Sequence, residues 1–329
     1  MSLLEENLIL ATTDEQTKWL NAVGSGKNIY QTWDYCSALQ RSRNEKIQLL
    51  VARSRNAEII CTYYERSKDN IHYDICSPYG YGGLHFLGNP DEVQQLSRVI
   101  FRFFEDQGYV ACFLMGQLKG SPEPDFVSPH RSTYMLDISD IGQTWKKMRK
   151  NYRNELNRYN KGRQYKLITE KSVLEEVFVN LYYSTLERVK ASHSYYFKEE
   201  TLRTLIRSEL AVLVGVEINN TLHAIDLFLQ KGDSAEYFLS AATETGRDFA
   251  KPLIWETVKL LNQRSVTKLH LGGGVSEDDS LSDFKRRFGA VPNRIPVWKK
   301  IIRLSKYEQL CARYRSDNER TEYFPAYWS

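Results

Sequence analysis

Two segments of the chain share one pattern of apolar and polar positions at a constant separation of 163 residues. Residues 56–77 and 219–240 each begin with an asparagine-containing turn, continue into an apolar run, pass a polar turn and end a second run at serine. A further apolar run, residues 49–52 or 212–215, precedes each segment. Short runs joined by such turns predict three antiparallel strands in each half of the chain.

A helical pattern and one more apolar run follow each set of strands. Apolar residues recur at helical spacing in residues 93–104 and 253–261, and the next apolar runs end at Gly116 and Gly272. Another helical pattern precedes each set, near residues 33–39 and 177–189. Both halves follow the order helix, three strands, helix, strand, which indicates an internal repeat. Chance is the alternative interpretation, because apolar alternation is common.

Composition narrows the class of protein without indicating a partner. A chain of 329 residues suggests two domains, and its 42% apolar and 26% charged residues are typical of a globular protein. The net charge is only +4. The longest apolar stretches are shorter than the ~18 residues of a membrane span, and the N-terminus lacks the basic region of a signal peptide. We therefore expect a cytoplasmic protein.

Cysteine and histidine usage predicts neither disulfides nor a metal. The five cysteines lie far apart and form no CxxC pair, which favours reduced thiols. The six histidines show no HxxxH or HExxH spacing, so we expect no metal site.

The segment from Tyr237 to Gly289 carries the strongest functional signal. A strand-like run enters a polar loop and a helix, and the next apolar run ends in three consecutive glycines, Gly272, Gly273 and Gly274. An acidic loop then leads to Phe284 and Lys285. Three glycines at a strand end allow a ligand or another backbone to approach closely.

The order of elements resembles the core of the GNAT acyltransferases, and two such units in one chain resemble the FemABX family of peptidoglycan aminoacyltransferases and its FemAB-like relatives. The resemblance covers nearly the whole chain and is strongest in WKKMRKNYRNELNRYNKG, LYYSTLERVKASHSYYF and LGGG…DFKRRFG. It implies an α+β fold of two tandem GNAT-like domains, each a mostly antiparallel twisted sheet flanked by helices. It also implies an acyltransferase that forms an amide bond on an amine acceptor, in cell-wall or envelope precursor metabolism.

The resemblance implies two domains, of which the second contains the active cleft. We expect residues 1–140 to form the first domain, completed by the C-terminal residues 303–329, and residues 141–302 to form the second, which carries the active cleft. No tightly bound cofactor is implied. The acyl donor, either an aminoacyl-tRNA or an acyl-CoA, would act as co-substrate, and tRNA is therefore a candidate partner.

Several residues match the family's site. Lys285 of the Phe284-Lys285 pair would be the catalytic lysine, because an ammonium group stabilises a developing oxyanion. Exposed helix surface is the alternative for this lysine. Acceptor and substrate binding would draw on Thr185, Arg188, Tyr195, Tyr196, Tyr237, Ser240, Phe284 and the three glycines. Arg188 could pair bidentately with a phosphate or carboxylate.

Two basic regions are candidates for phosphate binding. Residues 146–166 contain nine Lys or Arg and one acid, with an apolar stripe at helical spacing from Trp145 to Tyr159, which predicts one basic helix. Arg153 and Arg158 would bind phosphate there. The loop 242–252 has Gly246 but not the second glycine of a CoA-pyrophosphate loop, and Arg247 and Lys251 would bind phosphate beside the following helix.

The sequence does not identify the general base. Asp226 shares a strand face with Ala224 and Phe228, where a desolvated carboxylate would have the raised pKa of a base. An ordinary hydrogen-bonded buried acid is the alternative. Two other functions also stay open: a catalytically silent module that binds a nucleotide-sugar, RNA or protein, and an envelope-assembly factor in peripheral contact with the membrane. Oligomeric state has no signal in the sequence.

Overall fold

A computed structural model describes residues 8–24, 28–43, 46–116, 127–162, 165–274, 279–314 and 323–328, with the backbone alone for 43 and 127–131. The chain divides into two compact units, Met1–His130 with Arg294–Ser329 (unit 1) and Arg131–Asn293 (unit 2). The strands are β1 (Leu8–Thr12), β2 (Ile47–Arg53), β3 (Ala57–Ser67), β4 (Tyr73–Cys76), β5 (Leu84–Gly88), β6 (Ala111–Met115), β7 (Val127–Asp137), β8 (Lys166–Ile168), β9 (Ala211–Ile218), β10 (Thr221–Lys231), β11 (Ser234–Ala242), β12 (Lys268–Gly273) and β13 (Val291–Ile301). The helices are α1 (Gln16–Val23), α2 (Trp33–Arg43), α3 (Pro90–Asp106), α4 (Ile141–Lys147), α5 (Lys150–Lys161), α6 (Lys171–Arg188), α7 (Glu199–Arg207), α8 (Ala250–Gln263), α9 (Ser280–Arg287) and α10 (Leu304–Tyr314).

The two units repeat one strand order. In unit 1 it is β1-β2-β3-β4-β6, and in unit 2 it is β8-β9-β10-β11-β12. Neighbours are antiparallel except β4 with β6 and β11 with β12, which are parallel. The predicted fold class, two GNAT-like units of mostly antiparallel sheet flanked by helices, is confirmed.

Local sequence explains the hairpins and the covering helices. Asn219 and Asn220 have φ values of +50° and +60° between β9 and β10, as a tight hairpin turn requires. The apolar face of α3 packs into the core of unit 1, which includes Val93, Leu96 and Ile100. The equivalent face of α8 packs into the cores of unit 2. Burial of one face of each helix against its sheet provides the main stabilisation.

The unit boundaries differ from the predicted junctions near residues 140 and 303. Residues 133–137 of β7 belong to unit 2 because they pair with β12. Residues 297–301 of β13 belong to unit 1 because they pair with β6. Each boundary is therefore decided by strand pairing with a distant part of the chain.

The predicted basic helix is two helices, α4 and α5, so the expectation of one continuous helix is wrong. Met148 and Arg149 between them have extended backbone angles. The Arg149 N–H donates to the carbonyl of Arg287 at 2.9 Å, which replaces the lost helical bond. The apolar stripe itself is present, since Met148, Tyr152 and Leu156 are buried in the unit 2 core.

Within the described ranges, no helix combines the length and the apolar character needed to cross a membrane. The same ranges contain no cluster of three His, Cys, Asp or Glu side chains that could hold a metal ion.

Candidate active site

Strands β11 and β12 separate partway along their length. They pair in parallel only over Ser234–Glu236 with Lys268–His270 in the described part of the chain. Beyond this point β12 shifts its register against β7 and ends with Gly273 opposite Thr133. Gly272 lies in the shifted region with a φ of +72°, a left-handed conformation that favours glycine. The glycine triplet thus follows the place where the two strands diverge.

A β-bulge lies on β11 beside this opening. Leu227 pairs with Leu239 and Phe228 with Tyr237, so Phe238 is an extra residue on β11. Bulges increase local twist and redirect side chains, and they are frequent next to active sites. Tyr237 packs its ring on Phe228, with the ring centroids 5.0 Å apart.

Lys285 is buried, with a relative exposure of 4%. It lies on α9, which begins at Asp279, whose carboxylate accepts a hydrogen bond from the N–H of Ser282 at 2.7 Å. The Lys285 ammonium donates to the carbonyl of Gly273 at 2.6 Å. Burial lowers the pKa of Lys285 to about 8, and the charge of Asp279 opposes that shift. Lys285 is therefore not an exposed cation of the helix surface.

Asp226 is buried in the middle of β10, directly opposite Ser240 on β11. The Tyr237 hydroxyl donates to its Oδ1 at 3.4 Å, and Oδ2 has no hydrogen-bond partner among the described residues. Burial raises the pKa of Asp226 to about 7, while the hydroxyls of Ser240 and Tyr237 act in the opposite direction. Tyr237 and Ser240 are thus brought together with a carboxyl group that titrates near neutral pH.

The predicted acceptor residues on α6 contact the end of β11 and the loop after it. The Thr185 hydroxyl accepts from the N–H of Ala242 at 3.0 Å and lies 2.7 Å from the carbonyl of Leu181. The Arg188 guanidinium lies 3.4 Å from the carboxylate of Glu244 and is partly exposed. Thr185 therefore joins α6 to β11 through the backbone, and Arg188 already faces a carboxylate.

Tyr195 and Tyr196 are exposed on the connection between α6 and α7, which includes a 3₁₀ turn. The hydroxyls of Tyr182 and Tyr183 hold this connection by donating to the carbonyls of Tyr195 and Phe197 at 2.6 and 2.7 Å. The two exposed rings are consequently presented on a segment that is tied to α6.

Phe284 packs into the core of unit 2. Its ring centroid lies 5.9 Å from that of Tyr152 and 5.3 Å from that of Phe288. The ring is half-buried, and these contacts fix the orientation of α9, which carries Lys285.

Two of the four cations predicted to bind phosphate form ion pairs with glutamates. Lys251 contacts both carboxylate oxygens of Glu155, at 2.6 and 2.8 Å. Arg247 lies 2.7 Å from Glu244. Arg153 and Arg158 have no carboxylate within ion-pair distance in the described part of the chain, and Arg158 is exposed. The ion pair of Glu244 and Arg247 could have been predicted from the sequence, because the two residues are three positions apart. The pair of Glu155 and Lys251 could not, because these residues are 96 positions apart.

Gly246 has a packing role in the loop before α8. A Cβ there would lie 1.9 Å from the carbonyl oxygen of His223, so only glycine allows this approach. The Gly246 N–H donates to the Thr243 hydroxyl at 3.0 Å. This N–H is therefore satisfied within the loop, unlike the N–H groups that cradle a phosphate.

Comparison with known proteins agrees with this fold. Residues 146–286 match the acetyltransferase (GNAT) domain family. The structure of FemX is similar to this one, with a TM-score of 0.66 and 12% identity. The similarity covers 92% of this chain and 99% of the FemX chain. The C-terminal domain of a putative lysylphosphatidylglycerol synthetase from Agrobacterium fabrum has a TM-score of 0.59 and 11% identity, over 91% of this chain and 97% of its own. No curated protein sequence matches.

The fold is that of the GNAT acyltransferases. L-PGS from Bacillus licheniformis, with a TM-score of 0.59 and 12% identity over 87% of this chain and 91% of its own, shares it. The resemblance to FemABX-like proteins that the sequence predicted is confirmed, and at these identities it concerns the fold.

Proposed function

We propose that the protein is an acyltransferase that forms an amide bond on an amine acceptor, with the reaction in the opening between β11 and β12 of unit 2. The observation that carries this proposal is the buried Lys285 ammonium, held 2.6 Å from the Gly273 carbonyl at the end of β12. Among the described residues Lys285 forms no ion pair, and the charge of Asp279 only partly offsets the effect of burial on its pKa. A buried ammonium with so little compensation costs stability, which favours a functional reason for its placement.

The proposed chemistry is direct transfer. The acceptor nitrogen attacks the acyl carbonyl, the new C–N bond forms, and the C–S or C–O bond of the donor breaks as the leaving group takes up a proton. Lys285 stabilises the negative charge that develops on the carbonyl oxygen. Positioning the two substrates against one another supplies much of the remaining rate enhancement.

The donor is an aminoacyl-tRNA or an acyl-CoA, and we assign its phosphates to Arg153 and Arg158, which lack carboxylate partners among the described residues. Lys251 and Arg247 are weaker candidates because Glu155 and Glu244 offset their charges. We place the acceptor near Arg188, Thr185, Tyr195 and Tyr196, at the end of β11. A cell-wall or envelope precursor in the cytoplasm is the proposed acceptor, and the names of the similar FemX and lysylphosphatidylglycerol synthetase structures favour that class.

Mass spectrometry of acceptors tests the proposal. Purified protein is incubated with acetyl-CoA or with charged tRNA, each together with UDP-sugar peptides or aminated lipid precursors. We expect one donor to add its acyl mass to an amine acceptor. That donor should also stabilise the protein, by roughly 2.7 kcal/mol at a concentration 100 times its Kd.

Variants show whether the product arises at this site. Lys285→Met should slow the mass increase by about 10²–10³-fold, whereas Lys268→Met, which replaces an exposed lysine on β12, should leave it unchanged. Absence of a product with every donor and acceptor, or equal turnover in Lys285→Met, would contradict the proposal.

A further inference from the structure

Four carboxylic acids are buried in the described residues, and one of them differs from the rest in its partners. They are Asp74, Glu175, Asp226 and Glu236. Three have a cationic or histidine partner: Asp74 is 2.9 Å from Arg66, Glu175 is 3.0 Å from Arg203, and Glu236 is 2.5 Å from His270. Asp226 faces only hydroxyl groups, those of Tyr237 and Ser240.

A carboxyl group in this setting is costly to keep. Burying an ionised acid without a charged partner or several donors destabilises the folded protein, and replacement by an apolar residue is often neutral or stabilising. Among the described residues, Oδ2 of Asp226 has no hydrogen-bond partner. Its place on β10, opposite Ser240 and beside the β-bulge of β11, favours a role in the reaction.

We propose that Asp226 is the transient proton acceptor of the acyl transfer and that the Tyr237 hydroxyl relays the acceptor amine's proton to it. This inference rests on the proposed function of unit 2. Tyr237 is the group that meets the substrate nitrogen, so it is the catalytic residue of the pair. Asp226 acts through it.

The difference in exposure supports a relay. Asp226 is 1% exposed, so a substrate cannot reach its carboxylate directly, whereas the Tyr237 side chain is half-buried and the neighbouring Ser240 is exposed. The separation of 3.4 Å between the Tyr237 hydroxyl and Oδ1 is long for a hydrogen bond. Catalytic hydrogen bonds in unliganded sites are often long and shorten when substrate binds.

The protons balance over one turnover. As the C–N bond forms, the amine nitrogen gives its proton to the Tyr237 oxygen while the tyrosine proton moves to Asp226. The C–S or C–O bond of the donor then breaks, and the leaving group takes that proton back through the same hydroxyl. Both residues return to their starting states, and no further reactant is needed.

Few other groups influence Asp226. Val214 on β9 and Ser240 on β11 are its direct neighbours across the sheet. Tyr237 is the one titratable side chain that shifts its pKa, in the part of the chain that the structure describes. On α8, Ile254 and Val258 belong to the apolar core that contains Phe228, and the buried Thr257 hydroxyl donates to the carbonyl of Leu253.

A substrate-free measurement tests the proton acceptor. Infrared titration of the full-length protein should show the band of a protonated carboxyl that disappears near neutral pH and is absent in Asp226→Asn. In Tyr237→Phe the midpoint should rise, because a donor to the carboxylate is lost. The absence of a band assignable to Asp226, or a midpoint that Tyr237→Phe leaves unchanged, would overturn the relay whether or not the protein transfers acyl groups.

Kinetics test the relay in turnover. Tyr237→Phe keeps the ring on Phe228 and should lower kcat by about 100-fold or more, within the usual range of acid–base catalysis, with little change in the donor KM. Tyr134→Phe, a buried tyrosine of the same core, is the matched control and should turn over normally. Equal kcat in Tyr237→Phe and wild type would overturn the inference. A wild-type protein that transfers nothing would instead contradict the proposed function, and the infrared titration would still decide on the relay.

Discussion

The two units have the same strand order but differ where the fourth strand of the repeat meets the fifth. In unit 1, β4 and β6 stay together past their last pair, because the Ser77 N–H donates to Phe113 at 3.0 Å and the Ser77 hydroxyl accepts from Met115 at 2.8 Å. In unit 2, β11 and β12 part after Glu236 and His270. A side-chain hydrogen bond thus continues the contact between the fourth and fifth strands in unit 1, whereas the described pairing in unit 2 ends at Glu236 and His270.

In unit 1 a glycine-rich loop between β4 and β5 packs against Ser77 and Met115. A Cβ at Gly82 would lie 2.0 Å from the Tyr30 side chain, and one at Gly83 would lie 2.1 Å from the Ser77 hydroxyl. These glycines allow the protein's own side chains to approach closely. The glycines at the end of β12 instead follow the last described pair of β11 and β12, and Gly272 has a φ of +72°.

The two units also differ in the partners of their buried ionisable side chains. Unit 1 has Tyr63 at the position 163 residues before Asp226, and its hydroxyl donates to Gln48 at 3.2 Å. The buried Asp74 of unit 1 is held by Arg66 and by the indole N–H of Trp328. Unit 2 buries Asp226 and Lys285 without an ion pair in the described residues, although the charge of Asp279 acts on Lys285. This difference supports the proposal that unit 2 reacts and unit 1 is structural.

The largest expected effect comes from Lys285. Lys285→Met should reduce turnover by about 10²–10³-fold, as expected for loss of one group that stabilises an oxyanion. Lys299→Met, on the β13 segment that pairs with β6 in unit 1, should change turnover little. Steady-state rates on the identified acceptor measure both. A comparable loss in Lys299→Met would remove the functional distinction between the units.

A second prediction concerns Asp226→Asn and protein stability. The pKa of Asp226 is raised in the folded state, so folding costs nothing through this group below the unfolded pKa. The cost grows as pH rises toward about 7, to about 4 kcal/mol at most. Asp226→Asn should therefore be more stable than wild type at pH 8 by up to that amount, and equally stable near pH 3.

Urea unfolding at the two pH values measures this difference. A destabilised Asp226→Asn at pH 8 would mean that the ionised carboxylate has a stabilising partner after all.

The matched substitution in unit 1 should have the opposite sign. Asp74→Asn leaves Arg66, which is 13% exposed, without its carboxylate partner. Burial raises the pKa of Asp74, and Arg66 acts in the opposite direction. Removing one member of a buried ion pair costs about 3 kcal/mol or more, so we expect the loss of the pair to exceed the relief of burying Asp74 and the free energy of unfolding to fall at pH 8. A shift of the urea midpoint in the same direction in Asp74→Asn and Asp226→Asn would contradict the claim that the two units differ in how their buried acids are stabilised.

The pH dependence of turnover should give the smallest effect. The relay requires Asp226 ionised and Lys285 protonated in the free enzyme, so kcat/KM should rise up to pH about 7 and fall above about 8. Each limb should approach a tenfold change per pH unit beyond those values. Lys285→Met should flatten the alkaline limb of its residual activity, and Asp226→Asn the acidic limb. An unchanged profile in either variant would assign that limb to another group.

Sequence patterns predicted most elements of the fold but fewer features of the site. The repeat, the hairpins and the amphipathic helices follow from apolar spacing and Asn-containing turns, which act over neighbouring residues. The break between α4 and α5 was missed, because the bond from Arg149 to Arg287 that permits it depends on tertiary packing. Family resemblance pointed to Lys285, Tyr237 and Ser240, whereas the acids that face Arg188, Arg247 and Lys251 were not anticipated.

The sequence by itself determined the order of elements, the two-unit repeat and the type of chemistry worth testing, since periodicity and turn residues specify structure locally. Tertiary structure alone decided which ionisable groups are compensated. Lys251 meets Glu155 across 96 positions, while Asp226 meets only hydroxyls. Burial and the partner of a charge depend on which distant elements pack together. The burial and the partners of Asp226 and Lys285 are therefore properties of the fold of unit 2.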